Sequence, residues 1–371
     1  MVTYIWQTKN WPNFTYQAEA ILTPLGKCRK LQGELLQQLA ALDENFSLEA
    51  EATLLEAEAL RTSEIEGIQL NPQSVRSSVA KKLGLEDAGI GKVGQYEENL
   101  VDILLEATLN KNASLTEETL FSWHAALFPT GYSGRHKIQI GHWRSDEQGA
   151  MQVISGRPGK QVIHYEAPPA EWLTKEVSAF LGWYSTENKI DGIIRAAIAH
   201  FWFVTIHPFD DGNGRLARII TDMAMAQDEQ TSRRAYSISA QIAGNRKAYY
   251  RVLEQTQKGD GDITEWLVWF INTLDQAMLK SKDLIKQTLA KADFWKTHAA
   301  TPINDRQRKV LNKLLDAGVD GFEGGLTNKK YIAMTKSSSA TATRDLADLV
   351  EKGMLEKNAG GRSTKYHLTT A

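Results

Sequence analysis

The stretch from Ile193 to Arg218 constrains this chain more than any other. Ile194, Ile198, Phe201 and Thr205 recur at helical spacing in a strongly apolar run, which predicts a buried helix that Pro208 brings to an end. Directly behind it, His207-Pro-Phe-Asp-Asp-Gly-Asn-Gly-Arg-Leu-Ala-Arg218 packs an imidazole, two carboxylates, a Gly-Asn-Gly turn and two guanidinium groups into twelve residues. Leu216, Ile219, Ile220 and Met223 then restore a helical period, so the turn lies at a helix N-terminus. Unpaired backbone N–H groups and about half a positive charge from the helix dipole make such a turn an anion nest. Its glycines let a phosphate come close to the backbone. The residue types therefore point to a phosphate site.

With 371 residues the chain exceeds one usual domain, and two or three units are expected. A formal charge of −2 gives no global sign of a nucleic-acid or membrane partner. Cys28 is the only cysteine, which excludes an internal disulfide framework and a cysteine-rich zinc site and fits a reducing cytoplasm. No apolar run is long enough to span a bilayer, and the N-terminus lacks the pattern of a secretory signal, so a soluble, cytoplasmic protein without a membrane partner is expected.

The twelve residues match the pattern His-Pro-Phe-x-(Asp/Glu)-Gly-Asn-Gly-Arg-x-x-Arg at every defined position, and the segment resembles the Fic family. The resemblance implies a mainly all-α fold, a helical core with a β-hairpin flap, and transfer of AMP from ATP to a Ser, Thr or Tyr hydroxyl of a protein, including the chain itself. Chemistry and resemblance together assign His207 as the base that takes the hydroxyl proton, with Asp211 holding Mg²⁺ against the phosphates. Gly212, Asn213 and Gly214 would cradle the phosphates, with Arg215 on the leaving pyrophosphate and Arg218 reaching the γ-phosphate. Asp210 fills the variable position and is expected to face solvent or cap the helix. By similarity, Tyr249 and Tyr250 would line the adenine pocket, unless they simply pack outward on an amphipathic helix; Gln257 stands where relatives often have Asn. His124 reads as a packed or capping histidine, and a His200–His207 metal pair is set aside because no third ligand has suitable spacing.

Upstream, Trp6, Trp11, Phe14 and Tyr16 form an aromatic start that reads as a plug against the main body. Helical patterns run over 19–41 and 47–60, the second entering Thr62-Ser-Glu-Ile-Glu-Gly67, where Gly67 would end the helix and Pro72 forbid its continuation. Taken alone, the stretch is a helix end. Beside a Fic-like core it resembles that family's inhibitory motif, with Thr62, Glu66 and Gly67 in the defined places. Because the Arg218 fork serves one acceptor at a time, Glu66 would compete with the nucleotide for it.

Helices are predicted over 93–107, 116–128 and 172–184, with Asp191 capping the helix that delivers His207. Between them, 131–169 alternates at 139–143, 151–154 and 161–165 and reads as a surface hairpin about the turn 155–159. Gly141, Arg144 and the pair Pro168-Pro169 flank it as in the Fic flap, which implies that Met151, Gln152, Val153, Ile154 and Ser155 dock the target by strand addition.

The helix at 263–270 closes the core, and the lysine-rich 275–296 reads as a connector. From 304 on, three helical patterns, a Gly360-Gly361 turn and a final strand resemble a winged helix, with twelve Lys and Arg against eight Asp and Glu. Contact of this unit with DNA and contact with protein, including a second copy of the chain, both stay open. The expected layout is an N-terminal helical region with the inhibitory motif (1–92), a Fic core (93–275), a connector (276–303) and a winged-helix-like unit (304–371). The leading reading is an autoinhibited protein adenylyltransferase. The alternatives are a DNA-binding regulator whose Fic-like body senses nucleotide, and an enzyme that uses another nucleotide or removes AMP.

Overall fold

The computed structural model describes residues 3–42, 44–85, 93–147, 149–157, 159–317, 322, 324–358 and 364–369, apart from the side chains of 44–46, 288 and 292. Its backbone divides into two compact units, Met1–Gln37 with Glu51–Ser281, and Gln38–Ala50 with Lys282–Ala371. The helices are α1 (Ala18–Ala40), α2 (Glu44–Ile65), α3 (Pro72–Leu83), α4 (Gln95–Leu109), α5 (Glu117–Leu127), α6 (Leu173–Thr186), α7 (Gly192–Ile206), α8 (Asn213–Glu229), α9 (Ile238–Gly244), α10 (Arg246–Gln257), α11 (Thr264–Thr297), α12 (Asp305–Asp316), α13 (Asn328–Thr335) and α14 (Ser339–Glu351). The strands form three antiparallel pairs, β1 (Tyr132–Ser133) with β2 (His136–Lys137), β3 (Gln152–Ser155) with β4 (Val162–Glu166), and β5 (Leu355–Asn358) with β6 (Lys365–Leu368). The chain is mostly helical with small hairpins, as its periodicity predicts.

The larger unit is built on α7. Apolar on every side, it is buried from Ala196 through Ile206 and packs against α8, whose own residues from Leu216 to Ala226 are buried. Asp191 starts α7 by accepting from the Ile193 N–H at 2.8 Å. Trp266 of α11 donates its indole N–H to the Ala197 carbonyl at 2.8 Å, so the closing helix lies directly against α7. The aromatic N-terminus does form a plug. Tyr4 and Trp6 pack with Tyr165 and Ala167, and Met151 and Val153 lean on the same cluster, so the plug supports the inner face of the β3–β4 hairpin.

Three local expectations are corrected. Residues 139–143 are not a strand, because their backbone donors go elsewhere: Gln139 N–H to Asp210 Oδ2 at 2.9 Å and Gly141 N–H to His124 Nδ1 at 3.3 Å. Pro72 opens a helix instead of merely ending one; Asn71 Oδ1 caps α3 at the N–H groups of Gln73 and Ser74, and proline at the first helical position gives up a donor that would have no intrahelical partner. The closing helix and the lysine-rich stretch after it run as one helix, α11. The residue 92 boundary, Pro158 of the hairpin turn and the Gly360-Gly361 turn lie outside the described residues.

In the smaller unit α12, α13 and α14 gather Val310, Leu311, Leu314, Tyr331, Leu346 and Leu349 around one core, and β5–β6 follows with Leu326 bridged to Tyr366. Among the described residues no helix is long and apolar enough to cross a membrane.

Candidate functional site

The site begins where α7 stops. His207 is its C-cap residue in the left-handed conformation (φ 52°, ψ 56°), and its N–H still bonds to the Phe203 carbonyl at 3.1 Å. A non-glycine residue there is uncommon and strained, a cost carried here by the surrounding bonds. Arg144 supplies two of them, its Nε donating to the His207 carbonyl at 2.8 Å and its N–H to the Pro208 carbonyl at 2.9 Å. The ring is oriented as well. His207 Nδ1 lies 3.1 Å from the Val204 carbonyl, which can only accept, so Nδ1 carries the proton and Nε2 keeps its lone pair. Burial pushes the imidazole down to about 4, with the Arg144 charge acting the same way, so the ring is neutral at neutral pH.

The turn after it is closed on itself. Asn213 Oδ1 accepts from the Phe209 N–H at 3.0 Å while its Nδ2 donates to the Phe209 carbonyl at 2.8 Å. The Asn213 side chain is thus committed to the loop, and its backbone faces the helix N-terminus. Phe209 is fully buried and stacks on His124 at 4.1 Å, while His124 donates from Nε2 to the Asp211 carbonyl at 3.2 Å. Burial pushes His124 down to about 4, which fits its packed, neutral role. Asp210 anchors the 139 segment, where an outward-facing residue or helix cap was expected. Asp211 is the exposed carboxylate of the group, 41% accessible at its side chain, accepting from Ser133 Oγ and standing 3.5 Å from Arg215 Nη2.

Position 212 requires a glycine, and position 214 shows where Glu66 lies. Gly212 has φ +86°, and a Cβ there would stand 2.9 Å from the Phe128 ring. At Gly214 a Cβ would collide with the Glu66 carboxylate, so that carboxylate sits over the first turn of α8. Arg215 is buried, lies over Phe128 at 4.7 Å and donates from Nη1 to Tyr96 Oη at 2.9 Å; its Nε and Nη2 have no hydrogen-bond acceptor among the described residues. Arg218 is fully buried and bound to the end of α2. Its Nε donates to Thr62 Oγ1 at 2.8 Å, and its Nη2 to the Thr62 carbonyl at 2.9 Å and to Glu66 Oε1 at 2.7 Å. Gly67 (φ +80°) turns the chain away immediately afterwards.

His207, Asp211, the Gly212–Gly214 turn, Arg215, Arg218, Thr62, Glu66 and Gly67 therefore come together. Tyr250 joins them, partly exposed, with its hydroxyl 3.3 Å from the Ile65 carbonyl. Tyr249 lies deeper, 1% accessible, donating to His200 Nε2 at 2.9 Å, and His200 in turn donates from Nδ1 to Thr221 Oγ1 at 2.9 Å. Gln257 is buried beneath α7, its amide 3.3 Å from Thr205 Oγ1. The β3–β4 hairpin is joined to the same place, since Tyr165 Oη donates to the Thr205 carbonyl at 2.6 Å and Arg144 Nη2 to the Pro168 carbonyl. Met151, just before β3, and Val153 turn inward, Gln152 bonds Glu166, and Ile154 and Ser155 are exposed, with β4 the only strand paired to β3 among the described residues. No group of three His, Cys, Asp or Glu side chains able to hold a metal occurs among the described residues. Sequence reasoning missed Tyr96 and Ser133, whose contacts cross 119 and 78 residues and leave no local signature.

Residues 114–225 match the Fic/DOC family, a span that takes in the whole turn. The chain contains a Fic/DOC domain. Residues 4–85 match a domain of unknown function, DUF4172. A protein adenylyltransferase Fic from Nematostella vectensis is 26% identical over 254 residues, covering 64% of this chain and 53% of that protein. A uridine 5'-monophosphate transferase from Xanthomonas campestris pv. campestris is 29% identical over 122 residues, covering 31% and 22%. The crystal structure of a Fic family protein from Desulfovibrio desulfuricans G20 superposes with TM-score 0.57 at 18% identity, over 97% of this chain and 98% of that one, and so shares the fold. The chain spans between 17% and 53% of the length of such curated relatives.

Proposed function

We propose that this protein transfers AMP from Mg·ATP to a protein hydroxyl and is held off by Glu66. The observation that carries the reading is the Glu66–Arg218 pair at 2.7 Å with the same carboxylate lying over Gly214, at the head of an otherwise receptive phosphate nest. In the transfer, the hydroxyl oxygen attacks the α-phosphorus as its proton passes to His207 Nε2, and the bond to pyrophosphate breaks. Positioned base catalysis of this kind contributes about a hundred- to ten-thousand-fold. Arg215 Nε and Nη2, which have no hydrogen-bond acceptor among the described residues, and the N-terminal N–H groups of α8 would take the phosphate oxygens. Asp211, accessible at the mouth, would hold Mg²⁺; a lone carboxylate suits an ion that keeps several waters and takes other oxygens from phosphates, and the ion would neutralise charge there. While Glu66 occupies Arg218, the γ-phosphate lacks its fork and the triphosphate cannot settle in line for attack. The single-partner edge of β3 would pair with the target segment.

Residue Gln257 leaves the base preference less constrained, and the Xanthomonas relative is named for transfer of UMP, so the second reading is the same chemistry with another nucleotide. For the smaller unit, the order of α12, α13, α14 and the β5–β6 hairpin supports a winged helix.

Labelled nucleotides test the proposal. Wild type, Glu66→Gly and His207→Ala are incubated with α- or γ-labelled ATP, or with α-labelled UTP, and protein-bound label is counted. Label kept from the α-position of ATP, raised by Glu66→Gly and abolished by His207→Ala, is the expected result. Retention from the γ-position, or from UTP alone, would overturn AMP transfer.

A further inference from the structure

Helices α2 and α8 face each other in a polar ladder that continues past the inhibitory pair. Its rungs fall at four-residue steps in opposite directions: Glu66 over Gly214, Thr62 on Arg218, and one turn further Glu58 facing Asp222 through Arg234. The last rung is sealed. Glu58 has no accessible surface, and it accepts from Ser237 Oγ at 2.7 Å, from the Ser239 N–H at 3.3 Å and from Ser239 Oγ. Arg234 stands 3.7 Å from Glu58 and donates to Asp222 Oδ2 at 2.9 Å, and Ser237, Ser239, Arg234 and Asp222 are all buried.

We infer that Glu58 is a positioning residue for the proposed inhibition: by docking in the cradle of Ser237, Ser239 and Arg234 it sets the register of α2 on α8, and so delivers Glu66 to Arg218. This rests on the reading of Glu66 above. Two physical points carry it. Apolar residues are spread around α2 with no dominant stripe, so apolar packing alone specifies its rotation and axial position weakly. A buried charged group with fixed partners specifies them strongly, because any shift leaves it unpaired. A slip of one turn would carry Glu66 about 5.4 Å along the helix, beyond reach of Arg218. The cradle itself comes from the α8–α9 connection and the start of α9.

The test uses the full chain with α-labelled ATP and self-incorporation as readout, in wild type, Glu58→Ala, Glu66→Gly and the double variant, together with amide hydrogen exchange over 59–67. Glu58→Ala should raise incorporation several-fold, add nothing in the Glu66→Gly background, and speed exchange in 59–67. A residue needed only for folding would lower incorporation in both backgrounds, and that outcome, or unchanged exchange in 59–67, overturns the inference. Ser239→Ala removes a single partner and should give the same signs at smaller size if Glu58→Ala fails to fold. If Glu66→Gly itself raises nothing, the proposed inhibition is what has failed, and the exchange arm still decides whether Glu58 holds α2 in register.

Discussion

Helix α8 meets α2 through two charged rungs that differ in one respect. At the outer rung the Glu66 side chain is 25% accessible and shares Arg218 with the hydroxyl and carbonyl of Thr62; at the inner one Glu58 and Asp222 are buried with Arg234 between them. A carboxylate that touches water can leave its arginine and be rehydrated, and an incoming phosphate can replace it. One that is sealed in cannot leave without abandoning an uncompensated charge. On the proposed reading, the outer contact is the one that nucleotide exchanges and the inner one stays.

Breaking the inner rung should therefore cost the most. Arg234→Met removes the cation that stands between two buried carboxylates, and loss of one partner of a buried pair typically costs about 3–5 kcal/mol. Urea denaturation of the full chain should show the loss in the transition of the larger unit. A cost below about 1 kcal/mol would mean that water reaches these carboxylates and that the two rungs are alike. Glu66→Gly should cost far less, about 1 kcal/mol, since Arg218 keeps two hydrogen bonds to Thr62 and Glu66 lies beyond the last residue of α2. Its main consequence is functional: nucleotide binding, followed by titration calorimetry with Mg·ATP, should tighten. An equal stability loss for the two variants would erase the distinction.

The two rungs also differ in how far the sequence reveals them. Everything from His207 to Arg218 is contiguous, so its imidazole, glycines and arginines can be read as one phosphate-binding turn before any fold is known. Thr62, Glu66 and Gly67 become meaningful only beside that turn, because a glycine closing a helix is otherwise ordinary punctuation. Arg234 gives no signal at all: it sits in an irregular connection, and its partners Glu58 and Asp222 are ordinary charged residues within helical patterns. The same limit explains residues 139–143. Alternation predicts which side chains turn inward, but whether a strand has a neighbour depends on distant donors and acceptors, here His124 and Asp210. Gly141 and Arg144 stand out in the sequence as flank markers of a hairpin, whereas the bonds of Arg144 to the His207 and Pro208 carbonyls can be seen only in three dimensions.

The mildest test at neutral pH is Asp222→Asn, and its value lies in the pH dependence. Burial pushes Asp222 up to about 7, so between its ordinary value and pH 7 the native state holds a proton that the unfolded chain has released. The stabilisation from that proton is fully present in acid and lost as the pH rises through 7. His124 and His200 act in the opposite direction. Burial pushes them down to about 4 and about 3, so below the ordinary value of 6.5 the unfolded chain binds protons that the native state refuses, and stability drops on acidification. In wild type the two trends partly offset each other between pH 4 and pH 6.5. An asparagine keeps the oxygen that accepts from Arg234 and removes the titration, leaving the histidines opposed by one carboxyl fewer. Urea midpoints measured across this range should then fall more steeply on acidification than in wild type, by up to about 1.4 kcal/mol per pH unit for one proton. Parallel curves would show that Asp222 titrates as an ordinary carboxylate and that the inner rung is as open to water as the outer one.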